Sequence, residues 1–273
     1  MSVSSHFDSG NIEVVQDTDP ADIRLRIRKD VGDEHMQWFH FRLSGLRGVD
    51  CRLVIENAAD VSYPNAWGDY RVAVSYDRET WLRIDTRFEN GELIIEHCPE
   101  TDAIWFAYFA PYSLDRHYDL IAEALCHDEV YGHLLGLTVD GRDLDMLQIG
   151  ELGDDKRALW VIGRQHPGET MAEWWMEGFL DRILDSTDPL ACHILSKAVL
   201  YVVPNMNPDG SIRGHLRCNA AGANLNREWQ APTLEKSPEV YHTRQAMDAI
   251  GCDFCLDVHG DEELPYNFIA GAE

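Results

Sequence analysis

The run Ala158-Leu159-Trp160-Val161-Ile162-Gly163-Arg164-Gln165-His166-Pro167-Gly168-Glu169 reads as an apolar strand, Ala158 to Ile162, that stops at a cluster of polar side chains. Downstream, Met171 to Leu184 has the length and apolar spacing of a helix, and Val199 to Val203 is a second apolar strand. A helix around Tyr241 to Ile250 then leads into a third strand, Asp253 to Val258. Strands alternating with helices imply crossover units, hence an α/β region with a mixed, mainly parallel sheet flanked by helices. In such sheets ligands bind outside the carboxyl ends of the strands. Polar clusters follow all three strands: Arg164 to Glu169, then Asn205-Met206-Asn207-Pro208-Asp209-Gly210, then His259-Gly260-Asp261. The clusters therefore converge on one edge.

Upstream the rhythm is different. Alternating or apolar β-rich runs stand at Cys51 to Glu56, Tyr70 to Tyr76, Trp81 to Phe88, Glu92 to His97 and Ile104 to Phe109, and Asn90-Gly91 joins two of them with residues that tolerate positive φ. This spacing predicts an N-terminal antiparallel β-sandwich. Ser113 is placed to cap a helix from Leu114 to Cys126, with Leu114, Tyr118, Ile121 and Leu125 on one face, and a hairpin is expected around Asp140-Gly141. With a boundary near Pro111, the expectation is a sandwich domain over residues 1–113 and a second domain over residues 114–273. The chain shows no internal repeat or low-complexity segment.

The whole is 273 residues with 45% hydrophobic and 10% aromatic residues, the composition of a folded globular protein. Its formal net charge is -25, from 23 basic and 48 acidic residues, which excludes general attraction to a phosphate backbone, so nucleic acid is not an expected partner. No run is long and apolar enough for a membrane span. Seven Cys, odd in number and scattered, and an opening Met1 to Thr18 that lacks a basic start and an apolar core, point to a cytoplasmic location. The spacing of Cys252 and Cys255 on a strand sends them to opposite faces, so both are expected as small core residues.

Imidazole nitrogen and carboxylate oxygen are ligands that zinc favours, and a catalytic zinc keeps three protein ligands with a further position open. His166, Glu169 and His259 supply such a set. Pro167 and Gly168 make the tight turn that lets two ligands a few residues apart face one ion.

Taken in order, Phe7-Asp8-Ser9-Gly10-Asn11, Trp105-Phe106-Ala107-Tyr108-Phe109-Ala110-Pro111-Tyr112-Ser113, His166-Pro167-Gly168-Glu169, Val203-Pro204-Asn205-Met206-Asn207-Pro208-Asp209-Gly210, Arg217, Leu225-Asn226-Arg227 and Asp257-Val258-His259-Gly260 carry a resemblance through nearly the whole chain. The chain resembles the zinc metallocarboxypeptidases of the carboxypeptidase A type, in their cytosolic carboxypeptidase branch. Two His and one Glu are the known zinc ligands of carboxypeptidase A, so the resemblance brings that set to His166, Glu169 and His259. It further implies that Arg217 stabilises the oxyanion and that Asn226 and Arg227 hold the terminal carboxylate of a peptide or protein substrate. A guanidinium fork suits both tasks.

Two departures stand against the family pattern. Asn224 occupies the place of an Asp that orients a zinc-bound imidazole, and an amide is expected to be the weaker partner. The family's general base, a Glu on a strand far downstream of the last zinc ligand, has no counterpart up to Glu273, which is itself too near His259 to be that residue. A chain ending there is expected to hydrolyse peptides more slowly than a longer one. The reading that follows is a zinc-dependent hydrolase of C-terminal peptide bonds. An aspartoacylase-like amidohydrolase and a binder that captures peptide carboxyl termini without cleaving them remain open. Asp261, Glu262 and Glu263 are read as a solvated acidic loop.

Overall fold

In the computed structural model, which describes every residue except 154, 265, 272 and 273, Asn90 and Gly91 both take positive φ, 53° and 87°. They form the two-residue turn that matches strand twist. Around it the N-terminal strands are β1 (Ser2–Ser4), β2 (Glu13–Gln16), β3 (Ile23–Arg26), β4 (His40–Ser44), β5 (Cys51–Ile55), β6 (Arg71–Ser75), β7 (Leu82–Glu89), β8 (Glu92–His97) and β9 (Ala103–Ala107). They form a nine-stranded sheet in the order β1-β4-β9-β6-β7-β8-β5-β3-β2. Neighbours are antiparallel except β3 and β5, which run parallel.

The long strand β7 is where this sheet folds over. Its first half, to Asp85, pairs with β6, and its second half, from Thr86, pairs with β8. A strand that passes from one layer to the other turns the corner of a sandwich. Between the layers lie Ile23, Leu25, Phe41, Leu53, Val72, Ile95 and Phe106, with Phe41 and Phe106 stacked at 5.2 Å. Each fully buried side chain of this kind contributes roughly 2 kcal/mol by leaving water. β1 to β3 are only three or four residues long, too short for periodicity to mark them out.

The second sheet is built from β10 (Val130–Leu137), β11 (Asp143–Ile149), β12 (Arg157–Gly163), β13 (Ala198–Val203) and β14 (Phe254–Val258), in the order β10-β11-β13-β12-β14. β12, β13 and β14 are parallel, and β10 and β11 form the hairpin expected around Asp140-Gly141. Among the described residues the two sheets share no strand. Helices α1 (Leu114–Ala124), α2 (Met171–Ile183) and α3 (Pro189–Lys197) cover one face, and α5 (Pro238–Ile250) covers the other, while the short α4 (Pro208–Arg213) lies beyond the end of β13. β13 is buried along its whole length, as a central parallel strand with both faces covered should be.

Two expectations are corrected here. Ser113 does cap α1, its side chain accepting from the Arg116 N–H, but the buried face is His117, Leu120 and Ala124, with Tyr118 and Leu125 exposed. The helix is rotated because His117 is drawn inward by the carboxylates of Glu173 and Asp145. Cys252 and Cys255 are exposed rather than in the core, because β14 stands at the rim of the sheet in this structure.

Candidate metal centre

The carboxyl ends of β12, β13 and β14 lie side by side, and the three polar clusters of the sequence meet there. Past Gly163, Arg164 takes a positive φ of 52° and turns the chain, with its own side chain almost wholly buried. Its guanidinium donates to Pro167 O at 3.1 Å, to Tyr112 O at 3.0 Å and to Glu173 Oε2 at 2.5 Å. Arg164 therefore clamps the His166-Pro167-Gly168-Glu169 turn from beneath. Gly168 is required for space: a Cβ there would stand 2.9 Å from Leu216 O, the atom to which Gly168 N donates at 2.9 Å.

His166, Glu169 and His259 come together with their ligand atoms all within 4.8 Å of one another. Nδ1 of His166 is 2.6 Å from Glu169 Oε1, and Nδ1 of His259 is 2.8 Å from Glu169 Oε2. The far nitrogens are engaged elsewhere. His166 Nε2 meets Asn224 Oδ1 at 3.1 Å, and His259 Nε2 meets Asp257 Oδ2 at 2.9 Å. These acceptors assign the Nε2 atoms as donors, which leaves a lone pair on each Nδ1 in the neutral rings. Two lone pairs would then face a carboxylate, an arrangement that a bound cation satisfies as protons on the two rings do. The donor set thus fits a divalent metal of the kind that takes imidazole and carboxylate. Burial alone would raise the Glu169 carboxyl, but when the Nδ1 atoms facing it carry protons, the hydrogen bonds and charges of His166 and His259 pull it down to about 2, so it is ionised at neutral pH and a bound cation would take the place of those protons.

Asn224 occupies the position expected of an orienting group despite being an amide, and its Oδ1 also accepts from Asn226 N at 3.2 Å. Asn226 Nδ2 stands 3.5 Å from His259 Nε2, at the edge of the centre. Arg217 donates to the Tyr63 hydroxyl at 2.6 Å. Arg227 is exposed and folds its guanidinium onto Asn226 O at 2.9 Å, outside the cluster of His166, Glu169 and His259.

Several residues here were not singled out from the sequence. Asp257 orients His259 and also accepts from Gln165 Nε2 at 2.6 Å. Glu173 gathers Arg164, His117 and Asn205 around one buried carboxylate. Their signal was available only as proximity to the motifs. Glu262 departs from a solvated acidic loop: burial and the charge of Glu169 push its carboxyl up to about 8, with Arg217 opposing them. The Asn205 to Gly210 run serves as scaffold, since Asn207 caps α4 through Gly210 N and ties back to Gln165 O. Asp209, fully buried, holds Thr138 and Arg142 of the hairpin. Glu273, set aside as a general base in the sequence, lies outside the described residues.

A second group, Asp33, His35 and Cys218, also brings ligand atoms within 4.8 Å. Asp33 and His35 there already pair as acceptor and donor at 2.5 Å, in a local turn.

Comparison with known proteins matches two family profiles along the chain. Residues 3–109 match the family profile of the cytosolic carboxypeptidase N-terminal domain, and residues 123–249 match that of zinc carboxypeptidase. A metallo-carboxypeptidase structure from Burkholderia cenocepacia superposes with a TM-score of 0.95 at 47% identity, over 97% of this chain and 72% of that one. A metallo-carboxypeptidase from Pseudomonas aeruginosa, in complex with (2-guanidinoethylmercapto)succinic acid, superposes with a TM-score of 0.95 at 44% identity, over 97% and 71% of the two chains. Human cytosolic carboxypeptidase 1 is 26% identical over 319 aligned residues, which take in 98% of this chain and 26% of the human one. Among the described residues no helix is long and apolar enough to cross a membrane.

Proposed function

Because the chain belongs to the zinc carboxypeptidase family, on its cytosolic carboxypeptidase branch, we propose that His166, Glu169 and His259 hold one zinc ion at the reacting centre. The function is that of a metallocarboxypeptidase, hydrolysis acting on peptides at their carboxyl terminus. The observation that carries the metal assignment is the convergence of both Nδ1 atoms on one buried carboxylate, with all ligand atoms within 4.8 Å of one another and both Nε2 atoms against outward acceptors. Bound zinc supplies Lewis-acid polarisation of the scissile carbonyl and acidifies a water molecule.

The residues of the chain do the rest. Asn224 and Asp257 keep both imidazoles in the ligating tautomer. Arg217, fixed at one N–H by Tyr63, keeps further N–H groups for the carbonyl oxygen as it gains charge. Asn226 and Arg227 receive the terminal carboxylate, for which Arg227 must swing off Asn226 O. The molecule bound to the Pseudomonas relative is itself a succinic acid, and its carboxylates are the kind of group these residues suit. In a chain of net charge -25, a substrate carboxylate needs local positive charge, which Arg217 and Arg227 would supply. Residues 1–113 and 114–273 act as two domains in this reading. A cytoplasmic location accords with the naming of the human relative as cytosolic.

Elemental analysis of the purified protein tests the centre. One zinc per chain is expected, falling to none in His166→Ala combined with His259→Ala, together with loss of terminal-residue release followed by mass spectrometry. Full zinc retention in the double variant would refute the assignment, since a lone carboxylate does not hold zinc tightly.

A further inference from the structure

We propose that the N-terminal region sets the working position of Arg217, with Asp30 holding the backbone that carries it and Tyr63 holding its guanidinium. This rests on the reading of Arg217 as the group that meets charge on the scissile carbonyl.

Asp30, only 3% exposed, accepts three consecutive backbone N–H groups: Leu216 at 2.6 Å, Arg217 at 2.7 Å and Cys218 at 2.9 Å. A carboxylate shared by three amides fixes the orientation of successive peptide planes, which a single bond does not. The same grip continues on either side. Val31 N donates to His215 Nε2 at 3.2 Å, and His215 Nδ1 in turn donates to Cys218 O at 2.9 Å. Ser9 N donates to Ile212 O at 2.9 Å, and Asn11 Nδ2 to Gly214 O at 2.8 Å. The fit is close enough that a Cβ on Gly214, already at φ +68°, would stand 2.6 Å from Ser9 O. The segment from Ile212 to Cys218 is thus held along its length from the N-terminal region.

Leu216 joins this grip to the metal centre. Its N–H is held by Asp30, while its carbonyl accepts from Gly168 in the ligand turn at 2.9 Å. Tyr63 is itself locked, its N–H donating to Gln37 Oε1 at 2.8 Å and its carbonyl accepting from Gln37 Nε2 at 3.1 Å, with Gln37 fully buried. Its ring packs against the N-terminal core, so the hydroxyl is held from both backbone and ring. An arginine side chain is rich in rotamers, and anchoring one N–H of its fork orders the remaining N–H groups before substrate arrives. Tyr63 and Asp30 are positioning residues that act through Arg217.

The test uses full-length zinc-loaded protein and the N-acylated dipeptide turned over fastest in a panel varied at the terminal residue. Tyr63→Phe removes one oxygen and is expected to lower kcat about 10-fold, with KM little changed and zinc content still one per chain. Asp30→Asn puts an amide where an acceptor faces N–H groups and is expected to lower kcat about 10- to 100-fold, also at unchanged zinc content. The deciding measurement is the double variant. If Tyr63 acts through Arg217, Tyr63→Phe has no further effect on kcat in an Arg217→Ala background. A Tyr63→Phe loss that multiplies the Arg217→Ala loss, or a Tyr63→Phe protein as active as the parent, overturns the proposal while leaving Arg217 catalytic. An Arg217→Ala protein with undiminished kcat overturns the reading of Arg217, and the proposal with it. Should Asp30→Asn fail to fold, Tyr63→Phe decides the matter alone.

Discussion

His40 on β4 and His117 on α1 are equally hidden, at 2% and 3% exposure, and are held in opposite charge states. His40 packs edge-on against Phe7, Trp38 and Trp81, and burial, aided by the charge of Arg78, pushes its pKa down to about 3. His117 is also stripped of water, yet the hydrogen bonds and charges of Asp145 and Glu173 outweigh burial and lift it to about 9. The N-terminal sheet closes around hydrocarbon and rings, and tolerates a histidine there only as a neutral group. The second region keeps ions inside, because the Arg164-Glu173-His117 network braces the turn that carries His166 and Glu169.

The largest effect expected from that contrast comes from breaking each interior in its own terms. Phe106→Ala should cost about 3–5 kcal/mol by opening a cavity, and leave zinc affinity unchanged. Glu173→Leu should cost about as much, because it strands two buried cations, and should in addition weaken zinc binding as Arg164 loses the partner that aims it at Pro167. Urea unfolding alongside zinc titration separates the two. Equal zinc affinity in both variants would show that the ionic network is not part of the centre's support.

A smaller effect lies in pH. The folded chain keeps a proton on His117 that the unfolded chain releases near the ordinary value of 6.5, so this contribution is full below pH 6.5 and is lost as pH rises through about 9. His40 behaves in the opposite sense: the unfolded chain takes up a proton below 6.5 that the folded chain refuses down to about 3, so its contribution is full above pH 6.5 and falls on acidification. Each slope is on the order of 1 kcal/mol per pH unit. Unfolding free energy followed across pH should lose its alkaline decline in His117→Gln and part of its acid decline in His40→Gln. An alkaline limb unchanged in His117→Gln would mean that the histidine is neutral in the fold.

The smallest expected change is a gain. Asn224→Asp keeps the contact to His166 Nε2 while adding charge, and should tighten zinc binding about 10-fold, measured by competition with a chelator. No gain would mean that the amide already orients the ring as well as a carboxylate does.

Much of the fold was legible in the sequence. The strands around Asn90-Gly91 could be read because alternation and a turn that needs positive φ are local properties, and the β12, α2 and β13 segments because a buried parallel strand is a continuous apolar run. α3 has too short a buried stripe to stand out in the sequence, although Asp188 and Pro189 mark its start, the Asp side chain accepting from Leu190 N and Ala191 N. The buried face of α1 does not follow from apolarity alone, because ionic attraction turns His117 inward. Of the site, His166, Glu169 and His259 were legible as chemistry at strand ends, whereas Tyr63 and Asp30 lie far from the motifs they serve and look there like ordinary polar residues.

The order of strands and helices, the two contrasting rhythms and the donor types at three strand ends are determined by the sequence itself, since each depends on neighbours within a few residues. Tertiary structure alone decided which nitrogen of each imidazole faces Glu169 and that a carboxylate at position 30 would hold the amides of residues 216 to 218. Those outcomes depend on separations of a few ångströms between segments up to 188 residues apart, and hydrogen-bond geometry at that range follows from packing rather than from local pattern.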